Sequence, residues 1–206
     1  MIGWLSLYFL LFKLFPTSQY SEWNCRIVTV IHAIGISLIA GYSSFIEGPW
    51  PLTDAGGRNT PLQITTATVC LAYFIFDFSW CLKYGTEGYT MLLHHLMSIT
   101  GLTVSLLTGQ YGTELVATIC GGELTNPLLQ LRWFLRQTGY KDTKIALVVD
   151  AMFVFSFGFM RLVIGSILLY CYFTQPTDYL GRFGAICIYI MGVIFWINII
   201  QYAIRK

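Results

Sequence analysis

The residues of this chain best suited to chemistry are three histidines, His32, His94 and His95, together with Asp77. Imidazole titrates near neutral pH, so it can serve as general acid, general base, nucleophile or metal ligand. His94 and His95 are adjacent, and neighbouring side chains on a helix point about 100° apart. One can therefore meet a substrate while the other bonds to a neighbouring helix. A carboxylate such as Asp77 would orient an imidazole or stabilise its charged form. His94, His95 and Asp77 are thus the candidate catalytic residues. His32, Glu123, Asn126, Asp150 and Arg161 are the candidate substrate-binding residues. A metal could draw on His94, His32 and Asp77, but zinc sites show clearer ligand spacing. No CxxC occurs among the six cysteines. Neither metal nor cofactor is expected.

The elements that must carry these groups are apolar. Hydrophobic residues make up 56% of the 206 and charged residues 11%, against about 25% charged in a soluble domain. So little charge cannot cover a water-facing surface, so the expected solvent is lipid. The net charge of +2 with scattered basic residues gives no reason to expect a nucleic-acid partner. A spanning helix needs about 20 mainly apolar residues. The runs predict seven helices: Ile2–Phe15, Ile27–Ile46, Leu62–Leu82, Tyr89–Leu107, Glu114–Leu131, Ile145–Phe173 and Phe183–Ile204. The fold class expected is all-α, a polytopic membrane helical bundle. The first run lacks a basic leader segment and a small-residue cleavage site, so it reads as a retained helix. Cys25 and Cys81 fall near helix ends, where palmitoylation is conceivable, but a small buried residue is the plainer account.

Lys and Arg set the orientation. With seven spans one side carries Lys13, Arg26, Lys83, Arg132, Arg136, Lys141, Lys144, Arg205 and Lys206, and the other Arg58 and Arg182. Nine against two predicts a cytosolic C-terminus and a lumenal N-terminus. Counted from the cytosolic ends, His32, Asp77, His94, His95, Asn126, Asp150 and Asn198 all lie roughly 8–10 Å deep. Glu123 and Arg161 lie deeper. Polar groups inside spans are expensive and default to function, although hydrogen bonding between helices competes as an explanation. A common depth predicts one polar cavity near the cytosolic leaflet. Pro127 predicts a bend beside Glu123, and Arg161 needs an acidic partner or a lipid headgroup, with Glu123 the nearest acid by depth.

Several stretches together resemble the TLC domain family, named for the translocating-chain-associated membrane protein, the ceramide synthases and the CLN neuronal-ceroid protein. They are Val30-Ile-His32-Ala33, Tyr73-Phe-Ile-Phe-Asp77, His94-His95 after Met91-Leu-Leu, Glu123-Leu-Thr-Asn-Pro-Leu-Leu-Gln-Leu-Arg132-Trp-Phe-Leu135, and the late-helix Arg161. The likeness divides the chain into an N-terminal transmembrane helix and loop, residues 1–21, and a TLC-like transmembrane domain, residues 22–206. It implies a lipid-related bundle in the endoplasmic reticulum. In ceramide synthases the paired histidines belong to the acyl-transfer centre, and His94-His95 match that pair. Gly122-Glu123-Leu-Thr-Asn126 stands where the synthases carry a His-Asp pair and a further Asp, which speaks against ceramide synthesis itself. The expected function is lipid homeostasis, with a membrane lipid bound or handled in the polar cavity. The alternatives are an acyltransferase taking acyl-CoA, and a non-catalytic membrane adaptor or cargo receptor.

Overall fold

The computed structural model describes residues 1–14 and 20–204. These residues are helical with short connections. Helix α1 is Ile2–Leu14. Helix α2, Tyr20–Tyr42, runs on into a π-helical turn, Ser43–Glu47. Helices α3, Pro61–Tyr84, and α4, Tyr89–Thr108, form an antiparallel pair. Helices α5, Gly112–Glu123, and α6, Asn126–Gln137, follow. Helix α7, Lys144–Gly158, passes through a π-helical segment, Phe159–Ile164, into α8, Gly165–Thr174. Helix α9, Tyr179–Ile204, completes the bundle.

Among the described residues, five helical segments are long and apolar enough to cross a membrane: Ser21–Glu47, Pro61–Tyr84, Tyr89–Thr108, Lys144–Thr174 and Tyr179–Ile204. Helix α1 is apolar but has only 13 residues. The expected fifth span, Glu114–Leu131, is two shorter helices rather than one bent helix. Pro127, in the first turn of α6, has no N–H to give the Glu123 carbonyl, so the hydrogen-bond ladder stops there. Large apolar side chains such as Leu38, Leu107, Leu147 and Phe155 face outward. In water such a surface would be a liability; against acyl chains it is the required face.

Local chemistry marks the helix ends. Thr60 and Gln63 form a reciprocal capping box at the start of α3, with Pro61 in its first turn. Gly85 and Gly109 end α3 and α4 in the left-handed region, at φ 61° and 66°, where a side chain would be strained. At the end of the bundle opposite Lys144, the Asn59 side chain donates to the Ser105 carbonyl and accepts from the Gly112 N–H. Gln175 accepts from the Ala55 N–H at 2.6 Å. The long 48–60 connection is thereby laced to α4, α5 and α8.

The core is built where α1, α2, α3 and α5 meet, around Val28, Ile36, Cys70, Tyr73 and Val116. Helices α7 and α9 close the other side through a near-parallel stack of Phe157 on Trp196, centroids 6.5 Å apart. Gly158 lets them approach, since a Cβ there would stand 2.6 Å from the Trp196 ring. Gly158→Ala is expected to destabilise the protein by about 1–3 kcal/mol through overpacking. Thermal unfolding in detergent checks this, with Gly184→Ala, where nothing lies within 4 Å of the added carbon, as the neutral comparison.

Candidate functional site

A cavity of about 400 Å3 opens inside the bundle. Helix α3 supplies Asp77, one helical face shared with Tyr73 and Cys81. Helix α4 supplies both His94 and His95. The α5–α6 break delivers Glu123 and Asn126, and the π segment after α7 delivers Arg161. A π turn shifts the register of the following residues, which swings Arg161 inward. Phe74, Phe153, Phe157 and Phe195 supply apolar walls. A second, smaller and mainly apolar cleft of about 90 Å3 lies between α5, α8 and α9, and Arg161 borders both.

His95 is buried and held from two sides. Its Nδ1 lies 2.8 Å from the Met91 carbonyl and its Nε2 lies 2.9 Å from Asp77 Oδ2. Cys25 Sγ lies 3.8 Å from the other Asp77 oxygen, Oδ1. One donor atom from each of Asp77, Cys81 and His95 falls within 4.8 Å of the others. His94 points elsewhere, as the helical offset requires. It packs edge-on to Phe195 at 5.4 Å, and its Nδ1 has no hydrogen-bond partner.

Glu123 accepts from Asn126 Nδ2 at 3.0 Å, and Asn126 accepts from Gln130 Nε2 at 3.0 Å. Gln130 in turn accepts from Arg26 at 2.9 Å, so the chain of bonds runs from the buried acid to α2. At the cavity mouth Arg26 also meets Glu22 at 2.8 Å and Glu87 at 3.5 Å. Burial raises the Glu87 carboxyl above its ordinary range, and the neighbouring Arg26 pulls it back down.

Of the two partners considered for Arg161, an acid or a lipid headgroup, the acid nearest in depth is not in ion-pair contact with it. Among the described residues no contact within 4 Å joins its guanidinium to the Glu123 carboxylate; it donates instead to the Gly122 carbonyl at 3.4 Å. Its buried Nε makes no hydrogen bond. The side chain threads between two glycines: a Cβ on Gly122 would lie 3.2 Å from the guanidinium, and one on Gly192 3.4 Å from Cδ.

The structure brings Asp77, His94, His95, Glu123, Asn126 and Arg161 to one cavity and leaves two expected residues off its wall. His32 stacks on Tyr73 at 3.7 Å and 8°, with Trp4 edge-on at 5.3 Å. Tyr73 thus stands between His32 and the cavity. Asp150 pairs with Arg132 at 2.6 Å and Arg136 at 3.3 Å across α6 and α7. Asn198, at the same depth, is exposed on the outside of α9. Depth predicts the layer, whereas the side of the helix decides who meets whom. Sequence reasoning missed Cys25 and Cys81 as cavity residues. The Asp77/Cys81 spacing of four was a usable signal, but Cys25 reaches them only through the fold.

The all-helical architecture of the described residues, their lipid-facing exterior and a cavity that sets polar side chains among apolar walls define a multi-pass integral membrane protein. The chain belongs to the TLC domain family, whose model matches residues 22–204, a family of membrane proteins related to lipid. It is also similar to TLC domain-containing protein 4 A of Dictyostelium discoideum, 24% identical over 149 residues that cover 70% of this chain and 57% of that protein. The match therefore spans little more than half of that relative's length.

Proposed function

We propose that this protein acts in membrane lipid homeostasis by binding a lipid in the cavity, with the headgroup toward the cytosolic leaflet. The observation that carries the reading is the chemistry of one cavity wall facing another. Asp77, His94, His95, Glu123, Asn126 and Arg161 line it together with four phenylalanines. That is a site for an amphiphile, and its size falls in the range of ligand pockets. Arg161, with no carboxylate within ion-pair distance among the described residues and an unbonded Nε, favours an anionic headgroup such as a phosphate. Native mass spectrometry of the protein released from membranes tests the reading. A retained lipid is the expected result; a protein that emerges without lipid from several mild detergents overturns it.

The second reading is an acyltransferase with acyl-CoA as donor. The His95–Asp77 contact and the unpartnered Nδ1 of His94 favour it. One imidazole would take the proton of an acceptor hydroxyl or amine as that oxygen or nitrogen attacks the thioester carbonyl; the C–S bond then breaks, and the departing CoA thiolate takes the proton back from the imidazolium. An adaptor or cargo receptor would instead tolerate alanine throughout the cavity.

The charge asymmetry supports a lumenal N-terminus and a cytosolic C-terminus, and the resemblance to the TLC family is the ground for placing the protein in the endoplasmic reticulum. Single cysteines placed between Arg132 and Lys144 should react with impermeant maleimide from the cytosolic side of sealed microsomes. Reaction only after the lumen is opened would reverse the orientation.

A further inference from the structure

We propose that Asp77, Cys81 and His95, joined by Cys25, form a binding site for a zinc ion at the edge of the cavity. The inference does not rest on the lipid reading.

The donor set comes first. One donor atom from each of Asp77, Cys81 and His95 lies within 4.8 Å of the other two. Cys25 Sγ stands 3.8 Å from Asp77 Oδ1 but outside that three-residue group, so its thiol would have to turn toward Cys81 and His95 to become the fourth ligand. Two sulfurs, an imidazole nitrogen and a carboxylate oxygen suit tetrahedral zinc, whereas magnesium and calcium take oxygen ligands. Asp77 and Cys81 sit four apart on α3 and so share one helical face. Helices α2 and α4 bring the other two donors to that face. His95, Cys25 and Cys81 are each no more than 4% exposed. Asp77 is partly exposed, its side chain 18% accessible, so the cluster is buried on its imidazole and thiol side and opens to the cavity at the carboxylate.

The second observation is independent of donor type. His95 Nδ1 lies 2.8 Å from the Met91 carbonyl, which can only accept. The ring therefore carries a proton on Nδ1, and if it is neutral its Nε2 lone pair faces Asp77 Oδ2 at 2.9 Å. Two acceptors at that distance need a cation between them, either an additional proton or a metal. A backbone carbonyl fixing the far nitrogen of an imidazole is the outer-shell arrangement typical of metal-bound histidine. Zinc would bond to Nε2, to a carboxylate oxygen and to two thiolates. The two thiol protons, and any proton between His95 and Asp77, would leave to water. His94 keeps its Nδ1 free for whatever occupies the cavity.

The full chain, purified in detergent under reducing conditions with a tag that holds no metal, is assayed for zinc by elemental mass spectrometry. About one zinc per chain is expected in the wild type and in Cys70→Ser, whose residue lies seven positions before Asp77 on α3, about 10 Å along the helix. The Cys25→Ser/Cys81→Ser double variant is expected to fall at least tenfold. Wild-type protein reconstituted with cobalt should show tetrahedral d–d and thiolate charge-transfer bands. Alkylation of Cys25 and Cys81 in the wild type, read by peptide mass spectrometry, should rise only after chelation, which needs no variant to fold. A wild type that holds neither zinc nor cobalt, or a folded double variant that keeps its zinc, overturns the site. Either result leaves lipid retention to be judged separately, because the metal assay contains no lipid readout.

Discussion

His94→Ala and His95→Ala will each remove the lipid phenotype while the protein still inserts, and they will differ in stability. Both rings border the cavity, so both are placed to act on a bound lipid. Loss of a general acid or base lowers a rate by roughly 10²–10⁴-fold. If the protein only binds lipid, retention falls instead. The stability effects separate the two residues. His95→Ala removes the Nε2 contact to Asp77 at 2.9 Å, and a hydrogen bond to a charged group contributes about 1.5–3 kcal/mol, an upper bound here because Asp77 is partly exposed and keeps the Cys25 thiol at its other oxygen. His94 Nδ1 has no partner to lose, so His94→Ala should stay closer to wild type. Lipid composition, abundance and thermal unfolding are measured side by side on the same membranes. If lipid change and abundance fall in proportion, the histidines only tie helices together. An unchanged lipid profile in the double variant at normal abundance ends the catalytic reading.

The second large effect is expected from Arg161→Met, and its two readouts should move in opposite directions. The guanidinium sits in a slot between Gly122 and Gly192 with its Nε unbonded. Holding a charge there in the absence of ligand is unfavourable. Methionine matches the arginine side chain only as far as Nε and lies along the same apolar contacts. Thermal stability should therefore hold or rise. Retention of an anionic lipid should drop about tenfold or more, equivalent to about 1.4 kcal/mol. Glu123 keeps its bond from Asn126 in this variant, so the rest of the cavity stays in place. A variant that loses stability and keeps its lipid would make Arg161 a packing residue. Glu123→Gln is the partner experiment: it preserves shape, removes the acid, and shows whether an ionisable carboxyl group at that position matters.

Much of this arrangement can be read from apolar runs and helical rise alone. The runs locate the helices, because lipid demands long apolar segments with their backbone bonds satisfied internally. The rise puts Asp77, His94 and His95 at one depth, and all three border the cavity. What rise cannot give is azimuth. His32 shares that depth yet lies behind Tyr73, and Asn198 shares it yet faces outward. Pro127 announces a disturbed helix, but its position cannot say whether the chain bends or breaks; it breaks, at Leu124-Thr125. Partners across helices are likewise hidden. Asp150 could not be paired with Arg132 and Arg136 until α6 and α7 were placed together. Cys25 joins Asp77 over 52 positions of sequence.

Photo-crosslinking tests the central claim, a lipid held inside the bundle, most directly. A phospholipid bearing a diazirine in its acyl chain is incorporated into membranes that contain the wild-type protein. The adducts are then mapped by peptide mass spectrometry. Labelling should concentrate on the cavity walls, at Phe74, Phe153, Phe157 and Phe195, and should fall in Arg161→Met. Adducts confined to the outward-facing Leu38, Leu107, Leu147 and Phe155, unchanged by that substitution, would mean that lipid only bathes the protein and that the cavity takes none.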